Sequence, residues 1–253
     1  MPSAAVLRIE IERALEHRIP AALTIAPRSV RAVAHLGIDS VDHLLDGGLP
    51  VGAISELTGP DSSGRTSLAL AFVAQRTASD QVCAWVDVAD ALAPESAAAS
   101  GVDLKRLLWV RCAPAEQLAR AKPWARLDQA LRATDLLLQV GGFGTIVLDL
   151  GSTAPEHGYR IPLATWFRWR QAAERTQCCL VVLGKMAYAQ SSAAVVLECS
   201  PLRAVTAGTT VLQEFSFTVS RRRERFSPSA RDLRKPPATT WSANAAWDAE
   251  KRA

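Results

Sequence analysis

The residues best suited to chemistry form one run, Gly59-Pro60-Asp61-Ser62-Ser63-Gly64-Arg65-Thr66-Ser67, set between an apolar stretch and a helical period. Its spacing is that of the phosphate-binding pattern G-x-x-x-x-G-K-[ST], with arginine in the lysine position. Glycines there let backbone N–H groups turn toward an anion at a helix N-terminus. The pattern also needs a hydroxyl to hold magnesium, here Thr66, and a slim ammonium that threads between β- and γ-phosphates. Arg65 keeps the charge, but its planar fork is bulkier and is no point donor. A second acid, Asp149, ends the buried run Ile146-Val147-Leu148, where a magnesium-orienting carboxylate would stand. The nucleotide- or phosphate-binding set is therefore Gly59, Ser62, Ser63, Gly64, Arg65, Thr66 and Ser67, with Thr66 and Asp149 as magnesium ligands if a nucleotide binds. A plainer reading stands beside it: a turn that merely starts a helix, and a fixed acid at a strand end.

Three further clusters could bind DNA or a protein partner. Trp166, Arg168, Trp169 and Arg170 interleave rings with guanidiniums, the composition used for stacking on single strands. Leu163, Phe167 and Ala173 or Glu174 continue at helical spacing through the same run, which favours core or subunit packing, with at least one ring on the sheet. Arg221, Arg222, Arg223 and Arg225 follow the alternating Phe215, Phe217 and Val219, and so leave a strand as a solvated run, a DNA phosphate contact or a subunit interface. Trp241 and Trp247 lie in a polar tail, where large exposed rings suit docking onto a partner, with disorder or packing on the body as the alternatives.

The elements that must position these groups follow from periodicity. Short apolar runs at 53–57, 82–86, 107–110, 145–148 and 179–183 alternate with helical periods at 65–78, 126–139 and 162–176. Nearly continuous apolar strands separated by helices describe an α/β fold with a mostly parallel twisted sheet covered on both faces. Strands near 194–199 and 211–219, with no long helix between them, add a small antiparallel extension. Residues 1–35 form an N-terminal helix and linker, 36–226 the core, and 227–253 a tail. In the first part Leu7, Ile11 and Leu15 make one apolar stripe, a self-association arm that a short helix cannot bury alone.

Composition limits the class. Across 253 residues, 49% are hydrophobic and 21% charged, which excludes a disordered or disulfide-scaffold protein. The net charge of +4 is uneven, because the stretch from Arg221 onward carries nine Lys/Arg against four acids. The body is thus nearly neutral, and the basic balance is no general nucleic-acid signal. No run is long enough to span a membrane, and Glu10 and Glu12 fall where an export signal would be apolar. Five cysteines without a CxxC pair point to a reducing compartment and a cytoplasmic protein.

These residues resemble the RecA recombinase family. The likeness runs from Asp46-Gly47-Gly48-Leu49-Pro50-Val51-Gly52 through Glu56-Leu57-Thr58-Gly59 into the phosphate loop. It continues in Val86-Asp87-Val88-Ala89-Asp90-Ala91-Leu92-Ala93-Pro94 and Gly101-Val102-Asp103-Leu104. The resemblance implies a RecA-like P-loop fold and places the family's water-activating glutamate on Ala89. It puts the adenine-contacting aspartate and tyrosine on Ala93 and Ser96, and the γ-phosphate-sensing glutamine near Lys185, which joins the DNA- or partner-contact set. The loops that bind DNA in the family shrink to about 151–161 and 184–192. Loss of the water-activating group alone costs about 10²–10⁴ in rate, and combined with Arg65 it makes the expected turnover negligible. Asp90 is the nearest acid that could stand in.

An eroded ATP site on a core of this length resembles the ImuA-type accessory proteins of SOS-linked translesion synthesis. That resemblance implies an inactive Y-family polymerase homologue and an error-prone replicative-type polymerase as partners, and also single-stranded DNA or RecA. ATP and magnesium are then doubtful ligands. The alternatives are a working DNA-dependent ATPase that forms filaments, or a regulator similar to cell-division inhibitors. If the N-terminal stripe joins copies of the chain, deleting residues 1–20 lowers the assembled mass in light scattering. An unchanged mass removes that role.

Overall fold

The computed structural model describes residues 31–112, 124–151, 153–207, 211–224 and 236–244. Its strands are β1 (Val33–Ala34), β2 (Leu49–Pro50), β3 (Ile54–Thr58), β4 (Cys83–Asp87), β5 (Leu107–Arg111), β6 (Thr145–Asp149), β7 (Cys179–Gly184), β8 (Ala193–Ala207), β9 (Val211–Glu224) and β10 (Ala238–Asn244). Its α-helices are α1 (Asp39–Leu44), α2 (Arg65–Ala78), α3 (Pro94–Ala99), α4 (Ala125–Val140), α5 (Pro155–Gly158) and α6 (Leu163–Thr176). The main sheet has eight strands in the order β10-β9-β8-β3-β7-β6-β4-β5, parallel from β8 to β5 and antiparallel from β8 to β10.

Strand residues alternate between two faces. Cys83, Trp85, Val147 and Val181 enter one core with Leu68, Phe72 and Val73 of α2. Ala84, Val86, Ile146, Leu148, Leu180 and Val182 enter the other, with Leu127 and Leu138 of α4 and Trp166, Trp169 and Ala173 of α6. Both faces being covered, the central parallel strands are mostly apolar, and the α/β reading holds. The parallel arrangement brings the carboxyl ends of β3, β6 and β7 together, the side on which such sheets bind ligands.

The sequence reading is corrected in four places. The linker's last residues, Val33 and Ala34, pair with Pro50 and Leu49. The last two strands are longer than expected, and β8 joins the parallel sheet beside β3 as well as pairing with β9.

The third correction concerns the tail, since residues 238–244 form β10 on β9. Alternation of Thr, Ser and Asn hides that strand, whose apolar support comes from across the sheet. Trp241 lies opposite Phe217, ring centroids 4.9 Å apart, and is only 7% exposed. It is a core residue and not a partner contact. Ser40 of α1 also donates to the Thr240 carbonyl at 3.0 Å, pinning the strand.

Fourth, α6 is turned from the expected phase. Trp166, Trp169 and Ala173, at i, i+3 and i+7, face inward, while Leu163 and Phe167 are exposed. The two indoles meet edge to face at 5.2 Å, and Trp169 donates to Asp135 of α4 at 3.0 Å. Both rings are buried, so they do not stack on DNA. Trp247, Arg225 and the stripe Leu7, Ile11 and Leu15 lie outside the described residues.

Truncating Trp241 to alanine empties the space over Phe217 and should lower stability by about 3 kcal/mol in urea denaturation. A loss below about 0.5 kcal/mol, typical of a surface change, would deny it a place in the core.

Candidate nucleotide site

The phosphate loop joins β3 to α2. Gly59 and Gly64 both have positive φ, +151° and +84°. A Cβ on Gly59 would lie 2.3 Å from the Cys199 carbonyl oxygen, and one on Gly64 would lie 2.7 Å from the Phe217 ring. The close approach of β8 and β9 therefore requires glycine at both positions. A cavity of about 310 Å³ opens over the loop, lined by residues 61–67 together with Phe215 and Phe217. Of the predicted set, Ser62 and Thr66 are exposed at it, while Ser63 is buried with its hydroxyl unpartnered.

Arg65 does not reach outward. Its side chain is buried and donates to the loop's own carbonyls, Gly59 and Pro60, the latter at 2.7 Å. It also donates to Asp61 Oδ1 at 3.2 Å and to the Gly151 carbonyl at 3.3 Å. Asp149 accepts from the Gly151 amide at 2.9 Å, so cation and carboxylate meet over one glycine. Burial raises the Asp149 pKa above the ordinary carboxylate value. The guanidinium thus ties the loop to the end of β6.

Lys185, at the end of β7, donates to Asp61 Oδ2 at 3.0 Å. Lys185 first, and Arg65 after it, hold the Asp61 carboxyl below the usual range. Sequence reasoning missed this bridge because Asp61 stands at a variable position of the motif.

The expected hydrolytic groups are not assembled. Ala89 gives only its amide, to Asp87 Oδ1 at 3.2 Å; Leu92 and Trp109 donate to the other oxygen of Asp87. Asp90, the nearest substitute acid, is gripped by Arg111 through both oxygens, at 2.6 and 2.7 Å. That pairing lowers its pKa, whereas a general base works best near the operating pH. Among the described residues no group of three His, Cys, Asp or Glu could hold a metal ion. All five cysteines are buried free thiols, and burial pushes Cys83 and Cys199 up to about 12, so neither is a ready nucleophile.

The other predicted contacts are engaged within the fold. Arg168 donates to Asp135 at 3.0 Å, and Arg170 lies 4.5 Å over the Phe167 ring. Arg221 reaches Asp46 at 3.2 Å, Arg222 pairs with Glu198, and Arg223 donates to the Gln190 carbonyl at 2.6 Å.

A buried carboxylate, Glu56, sets the neighbouring loop. Its Oε1 accepts from the amides of Tyr188 and Ala189 at 2.6 and 3.0 Å, while Oε2 has no partner. Tyr188 in turn packs against Gly158 and Gly184 and meets Tyr159 edge to face at 5.5 Å. The loops that follow β6 and β7 are thereby fastened together.

Comparison with known proteins gives a consistent picture. The RecA N-terminal domain family matches residues 27–156. Over 103 residues the chain is 40% identical to protein RecA of Ruegeria pomeroyi and 41% identical to that of Allorhizobium ampelinum. These matches cover 41% of this chain and 26% and 25% of those proteins, so the chain spans about a quarter of the length of the RecA proteins it matches. The crystal structure of the RadB recombinase superposes with a TM-score of 0.59 at 18% identity, covering 82% of this chain and 94% of that one. At that identity the likeness is one of fold.

Burial raises the Glu56 pKa, overcoming its amide bonds. A carboxyl raised in the folded protein adds stability that is complete below its ordinary value of 4.5 and is lost as pH rises through the raised value. Glu56→Gln keeps the acceptor and should flatten this fall in the urea midpoint between pH 4.5 and neutrality. Equal slopes in both proteins would show that Glu56 does not titrate there.

Proposed function

Because the chain belongs to the RecA N-terminal domain family, we propose that it is a RecA-like accessory factor of DNA-damage tolerance, serving SOS-linked error-prone translesion synthesis in the manner of ImuA-type proteins. It acts by binding protein partners, and its ATP site does not turn over. Its partners are an inactive Y-family polymerase homologue and an error-prone replicative-type polymerase. Buried free thiols suit the reducing cytoplasm as its place of action. The observation that carries this reading is Arg65, whose guanidinium is spent on the loop that should hold phosphate. Ala89 in place of an acid, and Asp90 locked to Arg111, support it.

A second reading, a working DNA-dependent ATPase, rests on the exposed Thr66 and on Asp149 beside the loop. The two are separated by ATP turnover with and without single-stranded DNA, alongside the Arg65→Lys, Ala89→Glu double variant. No turnover by the natural protein is expected; DNA-stimulated hydrolysis would overturn the accessory role. The translesion assignment is tested separately, by mixing the purified chain with the inactive Y-family homologue. A stable complex in size-exclusion chromatography is expected, and independent elution removes that assignment.

A further inference from the structure

A magnesium–triphosphate does not fit the residues present. In the ordinary loop the terminal charge belongs to a γ-phosphate and its metal, approached by a lysine from one side and an acid from the other. Here Arg65 stands against Asp149 over Gly151, and a divalent cation placed at that carboxylate would meet the guanidinium at close range. Arg65 makes four hydrogen bonds, to Gly59, Pro60, Asp61 and Gly151, nearly all that its fork can give. It cannot also clasp two phosphates.

The rest of the cavity remains suited to an anion. It lies at the N-terminus of the fourteen-residue α2, and the Ser63 hydroxyl, in a residue 1% exposed, is unpartnered within the loop. Its far wall is aromatic. Phe217 packs on Gly64 and on Trp241, and Phe215, 6.2 Å from Phe217, lines the cavity while 44% exposed. Ala93 and Ser96, by contrast, offer no ring. An anion seat beside a supported, open ring matches a phosphate joined to a flat base.

We infer that this cavity binds a nucleoside mono- or diphosphate without a divalent metal, with Phe215 as the wall for the base and Arg65 in the place of metal and terminal phosphate. The inference rests on the reading above that the ATP site is degenerate. It makes the site one for sensing a nucleotide and not for consuming one.

Calorimetric titration of the full chain tests it, with adenosine diphosphate, adenosine triphosphate and pyrophosphate, each in magnesium and in excess chelator. The diphosphate should bind equally well with and without metal, and magnesium should not favour the triphosphate. Phe215→Ala, an exposed position, should weaken the diphosphate by about tenfold or more and pyrophosphate much less. Arg65→Lys should restore a preference for magnesium–triphosphate, with a thermal melt confirming that the variant folds. The inference falls if the natural protein prefers magnesium–triphosphate, binds no diphosphate, or is indifferent to the loss of Phe215. None of these outcomes without turnover disturbs the accessory role, which only hydrolysis or absence of the partner complex would unseat.

Discussion

One buried guanidinium organises the carboxyl end of this sheet. Arg65 joins the first three residues of the phosphate loop to the turn after β6. A buried charge is tolerated only when its hydrogen-bonding needs are met, and carbonyl oxygens meet them here. The carbonyls bonded to Arg65 hold its fork inward, and the inward fork holds the loop closed on itself. A lysine could supply neither the number of bonds nor the planar geometry. The substitution is thus a change of role, from ligand-binding cation to structural cation.

Around that cation the neighbouring loops are also secured from within. Lys185 bridges to Asp61, and Glu56 holds the amides of Tyr188 and Ala189. Tyr188 fills the space beside Gly158 and Gly184. Groups that RecA-like resemblance associates with nucleotide and DNA are occupied with one another. Surface ion pairs of this kind are individually weak and can be exchanged for a partner's charges.

Much of this was legible in the residues. Apolar runs separated by helical periods placed β3 to β7 and α2, α4 and α6 nearly to the residue, because each element buries a contiguous local pattern. The loop was legible because glycine, hydroxyl and cation must follow one another in order. Local patterns failed where support is non-local. β10 carries Trp241 among mostly small and polar residues and is held by Phe217, more than twenty residues away in sequence. The phase of α6 could not be read from Leu163 and Phe167, since Trp166 and Trp169 outweigh them in buried area. The direction of Arg65 was hidden for a related reason: its acceptors are backbone carbonyls, which no residue type announces.

The strand order also has a consequence for how the chain is made. β3 carries the phosphate loop, yet its neighbours, β7 and β8, begin at Cys179 and Ala193. During synthesis the loop leaves the ribosome long before either flank exists, while β4 and β5 can already pair with each other. Contacts so distant in sequence make assembly slow and leave apolar strands uncovered meanwhile. β10 emerges later still, and lays Trp241 over Phe217. A nascent chain that has not yet reached that residue presents β9 as an open sheet edge to its surroundings.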